Sequence, residues 1–196
     1  DQHDGIGGIT WIPNTDKILF SSKISSDESE IYVVDADGEN MEQAKNYFNI
    51  SNKLGGLNFS RNGSKMLLRE MDSNNNTIAY YVSDIDGSDK VELNLDSSEI
   101  YAQSFAPDSS KILLQGSNGE IYIAETATGK VDMIVEGAAD VPVWNRSGDK
   151  IIFKDTDDGN FYSVPADGGE ITQLTDESEN WNMVSGLRLL DWDLEN

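Results

Sequence analysis

The stretch Trp11-Ile-Pro-Asn-Thr-Asp-Lys17-Ile-Leu-Phe20 has three further copies in the chain, each with an aromatic residue, a polar turn, a lysine and three apolar residues. The other copies are Phe59-Ser-Arg-Asn-Gly-Ser-Lys65-Met-Leu-Leu68, Phe105-Ala-Pro-Asp-Ser-Ser-Lys111-Ile-Leu-Leu114 and Trp144-Asn-Arg-Ser-Gly-Asp-Lys150-Ile-Ile-Phe153. Self-similarity at a period of about 40 to 50 residues indicates a repeat architecture.

A second element follows each copy, and it places a tyrosine at an equivalent position. These tyrosines are Tyr32, Tyr81, Tyr122 and Tyr162. Short runs rich in Ile, Val, Tyr and Leu, separated by Gly, Asp and Asn, predict strands joined by tight turns. In the first repeat we expect strands at about 8–12, 17–22, 30–35 and 39–44, and we expect no helix anywhere. Each repeat is then one four-stranded antiparallel sheet.

Two segments carry a resemblance to a known family. Phe105-Ala106-Pro107-Asp108 with Lys111-Ile112, and Ile31-Tyr32-Val33-Val34-Asp35-Ala36-Asp37-Gly38, resemble the repeat of TolB-like propellers, also called the WD40-like or PD40 repeat. The resemblance implies an all-β fold, a β-propeller of four-stranded antiparallel blades. Such blades stack face to face around an axis. The first, second and fourth copies depart from the Pro-Asp pair of that repeat.

The four repeats are expected at about 8–45, 55–95, 101–136 and 140–175, within a single propeller domain or propeller fragment spanning 1–196. Residues 184–196 resemble the inner strand of a fifth repeat, with Trp192 in register with Trp11 and Trp144. About four blades plus one extra inner strand leave three alternatives: a fragment of a larger propeller, a closed four-bladed ring, or a ring completed by another copy.

The charge of the chain restricts its partners. Thirty-six acidic and fourteen basic residues give a formal net charge of −22. This charge repels phosphate backbones and anionic lipids, so nucleic acid is excluded as a partner, and no apolar run is long enough for membrane insertion. The acidic surface is explained by solubility, by cation binding or adaptation to high salt, or by attraction to a basic partner.

Residues for catalysis are scarce. His3 is the sole histidine and there is no cysteine, so neither Ser-His-Asp chemistry nor a His or Cys metal site is expected. The densest acidic segment, Asp155-Thr-Asp157-Asp158-Gly159-Asn160, lies between the second and third strands of the fourth repeat. Hard cations bind carboxylate-rich loops, so Asp155, Asp157 and Asp158 form the candidate calcium site; a plain hairpin turn is the alternative. No other cofactor is expected.

Periodic aromatic residues are expected in the core between blades rather than at a ligand site. They are Trp11, Phe59, Phe105 and Trp144, together with the four tyrosines. We therefore expect a non-catalytic binding or scaffold module that presents loops to a protein partner or to another copy of itself. The family resemblance implies a periplasmic or extracellular protein. The alternatives are a structural subunit of an extracellular filament or surface layer, and the propeller domain of a larger peptidase or other hydrolase.

Overall fold

The computed structural model describes residues 6–24, 29–48, 53–95 and 99–176. In these residues 16 strands form four antiparallel four-stranded sheets, each following chain order. Sheet 1 contains β1 (Ile6–Trp11), β2 (Lys17–Lys23), β3 (Ser29–Asp35) and β4 (Glu42–Gln43), followed by helix α1 (Ala44–Tyr47). Sheet 2 contains β5 (Lys53–Phe59), β6 (Lys65–Met71), β7 (Thr77–Asp84) and β8 (Val91–Glu92). Sheet 3 contains β9 (Ile100–Phe105), β10 (Lys111–Gly116), β11 (Ile121–Glu125) and β12 (Val131–Val135). Sheet 4 contains β13 (Ala139–Trp144), β14 (Lys150–Asp155), β15 (Phe161–Pro165) and β16 (Thr172–Gln173).

The prediction of an all-β chain with four four-stranded sheets is confirmed. The chain divides into two compact units, Asp1–Leu93 with sheets 1 and 2, and Asn94–Asn196 with sheets 3 and 4. His3 and the expected fifth inner strand at 184–196, with Trp192, lie outside the described residues. The single-domain boundaries stay a prediction.

The same hydrogen bond closes the first turn of every sheet. In sheet 1 the amide of Ile12 donates to the carbonyl of Lys17 at 2.9 Å, and the pairs Ser60–Lys65, Ala106–Lys111 and Asn145–Lys150 repeat this bond. The polar residues between an aromatic residue and a lysine therefore form a tight hairpin.

In the first unit, one face of sheet 2 packs on one face of sheet 1. Leu19 and Val33 of sheet 1 share a core cluster with Met66 and Leu68 of sheet 2. The middle residue of the first apolar triplet thus meets the two outer residues of the second triplet. Because successive side chains of a strand point to opposite faces, a triplet with three apolar residues can bury both faces of its sheet.

The second unit repeats this arrangement at equivalent positions. Leu113 and Ile123 of sheet 3 share a cluster with Ile151 and Phe153 of sheet 4. The middle residue of one triplet again meets the outer residues of the next. One packing arrangement therefore accounts for the core within each unit.

Two expectations about the first repeat are wrong. The fourth strand was expected at 39–44, but β4 covers only Glu42–Gln43, and a helical turn, α1, follows where no helix was expected. The amide of Phe48 donates to the carbonyl of Ala44 at 2.9 Å, and both residues are fully buried. Residues four apart share one face of a helix, so this turn places both side chains in the core.

The expected burial of the aromatic positions is confirmed for Trp144, which is 7% exposed, and wrong for Trp11, which is 57% exposed. Phe59, Phe105 and the four tyrosines are partly buried. Phe59 and Trp144 cover the preceding sheet of their units, whereas Trp11 belongs to the first sheet of unit 1. Its face has no preceding sheet within that unit.

Equivalent turns of neighbouring sheets contact each other within each unit. Asn14 donates through Nδ2 to the carbonyl of Gly63 at 3.2 Å, and a Cβ at Gly63 would lie 2.6 Å from Pro13 Cβ. In the second unit, a Cβ at Gly148 would lie 3.1 Å from Pro107 Cδ. A proline turn therefore lies against a glycine turn in each unit.

The first strand of every sheet pairs irregularly with the second strand. The pairing register shifts between Ile6 and Ile9, Leu54 and Gly56, Ser104 and Ala102, and Asp140 and Val143. Val141, in the last of these bulges, has a φ of 43° and is 46% exposed. A β-branched side chain is strained at positive φ.

We expect Gly63→Ala to destabilise the protein more than Gly38→Ala. Both residues have positive φ, but a Cβ at Gly38 meets nothing within 4 Å. Gly38→Ala therefore carries only the backbone cost, about 1 kcal/mol, and overpacking at Gly63 adds about 1–3 kcal/mol. Chemical denaturation measures both variants, and equal losses would contradict the turn contact.

We expect Val141→Gly to raise the free energy of unfolding by about 1 kcal/mol, because relief of backbone strain exceeds the entropy cost of glycine. The matched control, Val143→Gly in the same strand, removes a partly buried side chain and lowers stability. Thermal and chemical unfolding of the pair check the sign. A loss of similar size in both variants would show that Val141 carries no strain.

Candidate functional site

The repeated lysine forms ion pairs at one edge of the sheets. Lys17 pairs with Asp35, and Lys65 Nζ lies 2.6 Å from Asp84 Oδ1, with each aspartate directly across the strand pair. The hydrogen bond between Lys17 and Asp35 raises the pKa of the lysine and lowers the pKa of the aspartate. All four side chains keep a quarter or more of their surface exposed, so the pairs position the strand ends and add little stability.

The equivalent lysine of sheet 3 pairs differently. Lys111 binds Asp167, in the last turn of sheet 4, and so links the two sheets of the second unit. The cross-strand neighbour of Lys111 is Glu125. The lysine pattern thus marks the edge where the first and third turns of each sheet lie, and we call this edge the turn edge.

Exposed aspartates of the turn edge accept hydrogen bonds from their own turns. Asp37, Asp86 and Asp108 each accept the amide two residues ahead, at 2.9–3.0 Å. The hydroxyl of Ser88 lowers the pKa of Asp86, and the amide of Ser110 lowers that of Asp108. These hydrogen bonds fix the orientation of all three carboxylates, and the lowered pKa values keep Asp86 and Asp108 ionised, which suits the turns to cationic groups of a partner.

The candidate calcium residues lie in the turn between β14 and β15, at the opposite edge of sheet 4. Asp155 Oδ1 accepts the amides of Asp157 and Asp158 at 2.7 and 3.3 Å, and Asp158 accepts the amide of Asn160 and the hydroxyl of Tyr162. No group of three or more His, Cys, Asp or Glu side chains in the described ranges could hold a metal ion. The calcium site stays a prediction.

Two of the repeated tyrosines donate their hydroxyl to a carboxylate. The acceptors are Glu30 for Tyr32 and Asp158 for Tyr162. These acceptors come from β3 and from the turn after β14 respectively. Sequence reasoning found the tyrosines but missed these partners, because the acceptors occupy different positions in each repeat and leave no periodic signal.

These hydrogen bonds change the titration of the tyrosines. The bond to Asp158 raises the pKa of Tyr162 to about 12 and lowers the pKa of Asp158. For Tyr32 and Tyr81, burial is the main cause of a raised pKa. The ring of Tyr162 also stacks on Phe153, its cross-strand partner, with centroids 5.9 Å apart. Tyr162 therefore packs through its ring, while its hydroxyl has a hydrogen-bond acceptor.

Solved structures share this arrangement of sheets. A putative TolB from Agrobacterium tumefaciens matches with 20% identity and a TM-score of 0.52 over 85% of this chain. TolB from Acinetobacter baumannii matches with 22% identity and a TM-score of 0.53 over 88% of the chain. The β-propeller domain of the Trilobed protease from Pyrococcus furiosus matches with 14% identity and a TM-score of 0.56 over 82% of the chain.

The chain has a TolB-like β-propeller fold. The predicted resemblance and fold class are therefore confirmed, and the four sheets correspond to four blades. At identities of 14–22% the likeness concerns the fold alone. The chain spans 64%, 44% and 54% of the three solved chains. No family model and no curated protein matches the chain. No helix in the described residues has the length and apolarity needed to cross a membrane.

We expect Tyr162 to remain mostly protonated at about pH 11, where an ordinary phenol with a pKa of about 10 is mostly ionised. Because the folded-state pKa is raised, the stabilisation is complete below about pH 10 and is lost as the pH rises toward 12. NMR of isotope-labelled tyrosine rings follows this titration, and Tyr162→Phe assigns the late signal. Asp158→Asn should bring it back toward its ordinary range; an unchanged titration in that variant would refute the assigned cause.

Proposed function

We propose that this chain is a non-catalytic propeller module of an exported protein, and that the turn edge of sheets 1 and 2 binds a protein partner. The observation that carries the proposal is the orientation of Asp37 and Asp86, whose carboxylates are held by hydrogen bonds within their own turns. Binding such a surface requires little ordering of side chains, which reduces the entropic cost of association.

The charge of the chain indicates the chemistry of the partner. With a net charge of −22, the surface attracts a basic protein and repels polyanions. The ionised state of Asp86 and Asp108 below neutral pH, implied by their lowered pKa values, keeps this attraction over a wide pH range. Export and a periplasmic or extracellular location rest on the likeness to TolB structures.

A peptidase context is the second candidate. One structural neighbour is the propeller domain of a protease, and the chain spans 54% of it. In that context the propeller would be one domain of a longer polypeptide, with catalysis carried out by another domain.

Neutralising the turn edge should weaken partner capture. We expect the double variant Asp37→Asn and Asp86→Asn to recover several-fold less of a basic partner from an extract of the source organism, measured by quantitative mass spectrometry. Asparagine keeps the turn acceptor but removes the charge, so folding is preserved.

The matched control is Asp72→Asn with Asp157→Asn. This variant removes the same charge from the turns that precede β7 and β15, away from the turn edge. Asp72 accepts the amides of Asn74 and Asn76, and Asp157 is exposed. Equal losses in both double variants would contradict a specific turn-edge site. Labelling of the native polypeptide by an active-site probe for serine hydrolases would favour the peptidase context.

A further inference from the structure

The chain contains five Asn-x-Ser/Thr sequons, the motif that accepts N-linked glycans in exported proteins. The asparagines of these sequons are Asn49, Asn58, Asn62, Asn75 and Asn145, and the last four lie in the described residues. The motif supplies two groups, the amide nitrogen that receives the glycan and the hydroxyl group two residues ahead. A folded chain is therefore an acceptor only where both groups are accessible.

Asn145 is engaged at both ends of its side-chain amide. Its Nδ2 donates to Ser147 Oγ at 2.9 Å and to Asp149 Oδ1 at 2.6 Å, and its Oδ1 accepts the backbone amides of Asp149 and Lys150 at 3.1 Å. The hydroxyl of Ser147, which completes this sequon, donates to Asp149. Because these bonds hold the first turn of sheet 4, glycan transfer to Asn145 would require local unfolding of that turn.

The hydroxyl groups of two other sequons are engaged in the first turn of sheet 2. Ser60, which completes the sequon of Asn58, is 2% exposed, and its hydroxyl donates to Asn62 Oδ1 at 2.9 Å. Ser64, which completes the sequon of Asn62, donates its hydroxyl to the same oxygen at 2.8 Å. Glycan transfer to either asparagine would therefore break hydrogen bonds of the turn between β5 and β6.

Asn75 differs from these three asparagines. It is exposed in the turn between β6 and β7, and its Oδ1 accepts Lys53 Nζ at 2.9 Å, whereas its Nδ2 has no partner among the described residues. The hydroxyl of Thr77, which completes the sequon, makes no hydrogen bond to any described residue either. Asp72 holds this turn by accepting the backbone amide and the side chain of Asn76 at 2.8 and 2.9 Å. Both groups of this sequon are therefore free to react while the turn stays closed.

We propose that Asn75 is the N-glycosylation acceptor of the folded chain, with a lipid-linked oligosaccharide as the glycan donor. In the transfer, a bond forms between Asn75 Nδ2 and the first sugar carbon, and the bond from that carbon to the lipid pyrophosphate breaks. Nδ2 loses one proton, and the lipid pyrophosphate is the leaving group. Oδ1 remains an acceptor for Lys53.

This inference rests on the export part of the proposed function, because N-linked glycans are carried by exported proteins. The turn between β6 and β7 is the second turn of sheet 2, so it lies at the edge opposite the turn edge. A glycan on Asn75 therefore leaves the proposed partner surface of that sheet uncovered.

Glycan transfer to the purified, folded chain tests the choice of acceptor without any requirement for export. The reaction contains a single-subunit oligosaccharyltransferase and a lipid-linked oligosaccharide, and peptide mass spectrometry after deglycosylation in heavy-oxygen water gives the occupancy of each sequon. We expect the occupancy of Asn75 to be several-fold higher than that of Asn58, Asn62 or Asn145. An unmodified Asn75, or equal occupancy at all four, would overturn the proposal.

Short peptides that span the four sequons calibrate the reaction, because each peptide presents its motif without the fold. We expect the Asn145 peptide to be modified readily, whereas Asn145 of the folded chain is not. Occupancy ratios in the folded chain that match those of the peptides would show that the structure does not select the acceptor.

Two variants of Thr77 separate the sequon from the turn. Thr77→Val keeps the shape of the side chain but removes the hydroxyl, and it should abolish transfer to Asn75. Thr77→Ser restores a hydroxyl and should restore transfer. Transfer to Asn75 in the valine variant would contradict the assignment.

Glycopeptide analysis of the native protein separates this inference from the proposed export. A glycan on Asn75 of the native chain would support both. A native chain without this glycan, together with efficient transfer to Asn75 in the purified reaction, would count against export and leave the choice of acceptor supported.

Discussion

The structure depends on the burial of the facing sides of the two sheets within each unit. A single four-stranded sheet is too thin to hide its own apolar side chains, so it packs against a second sheet. Within each unit, the outer residues of one apolar triplet meet the middle residue of the other, as Met66 and Leu68 meet Leu19. Burial at about 25 cal/mol per Å² of apolar surface is the driving force of this packing.

The sequence predicts this part of the structure well, because packing leaves a periodic record. Side chains alternate between the two faces of a strand, and hairpin turns require polar or glycine residues. The repeats therefore predict the number of sheets, the order of their strands and the equivalent positions of residues such as Lys17 and Tyr162. Helix α1 and the exposure of Trp11 were not predictable in this way. Helix α1 depends on the burial of Phe48 in the core, and the exposure of Trp11 depends on whether another sheet covers its face.

The candidate site was predicted less well, for a related reason. The hydrogen-bond acceptors of Tyr32 and Tyr162 are Glu30 and Asp158, which occupy different positions in their repeats. A hydroxyl group can donate to any carboxylate within reach, so acceptors at different sequence positions satisfy the same requirement. Similarly, the density of acids around Asp155 suggests a cation site, whereas the structure uses these oxygens as acceptors within the turn.

The four repeats also allow a comparison within one chain. Positions that packing requires carry similar residues in every copy, such as the apolar triplet of the second strand. The position directly after the triplet carries Ser21, Arg69, Gln115 and Lys154. Gln115 donates to the carbonyl of Ala139 of the next sheet, whereas among the described residues the only hydrogen-bond partner of Arg69 is the sulfur of Met71. A position whose chemistry differs while its backbone stays the same is free of the packing constraint, and such positions are where a repeat fold can acquire a separate binding role.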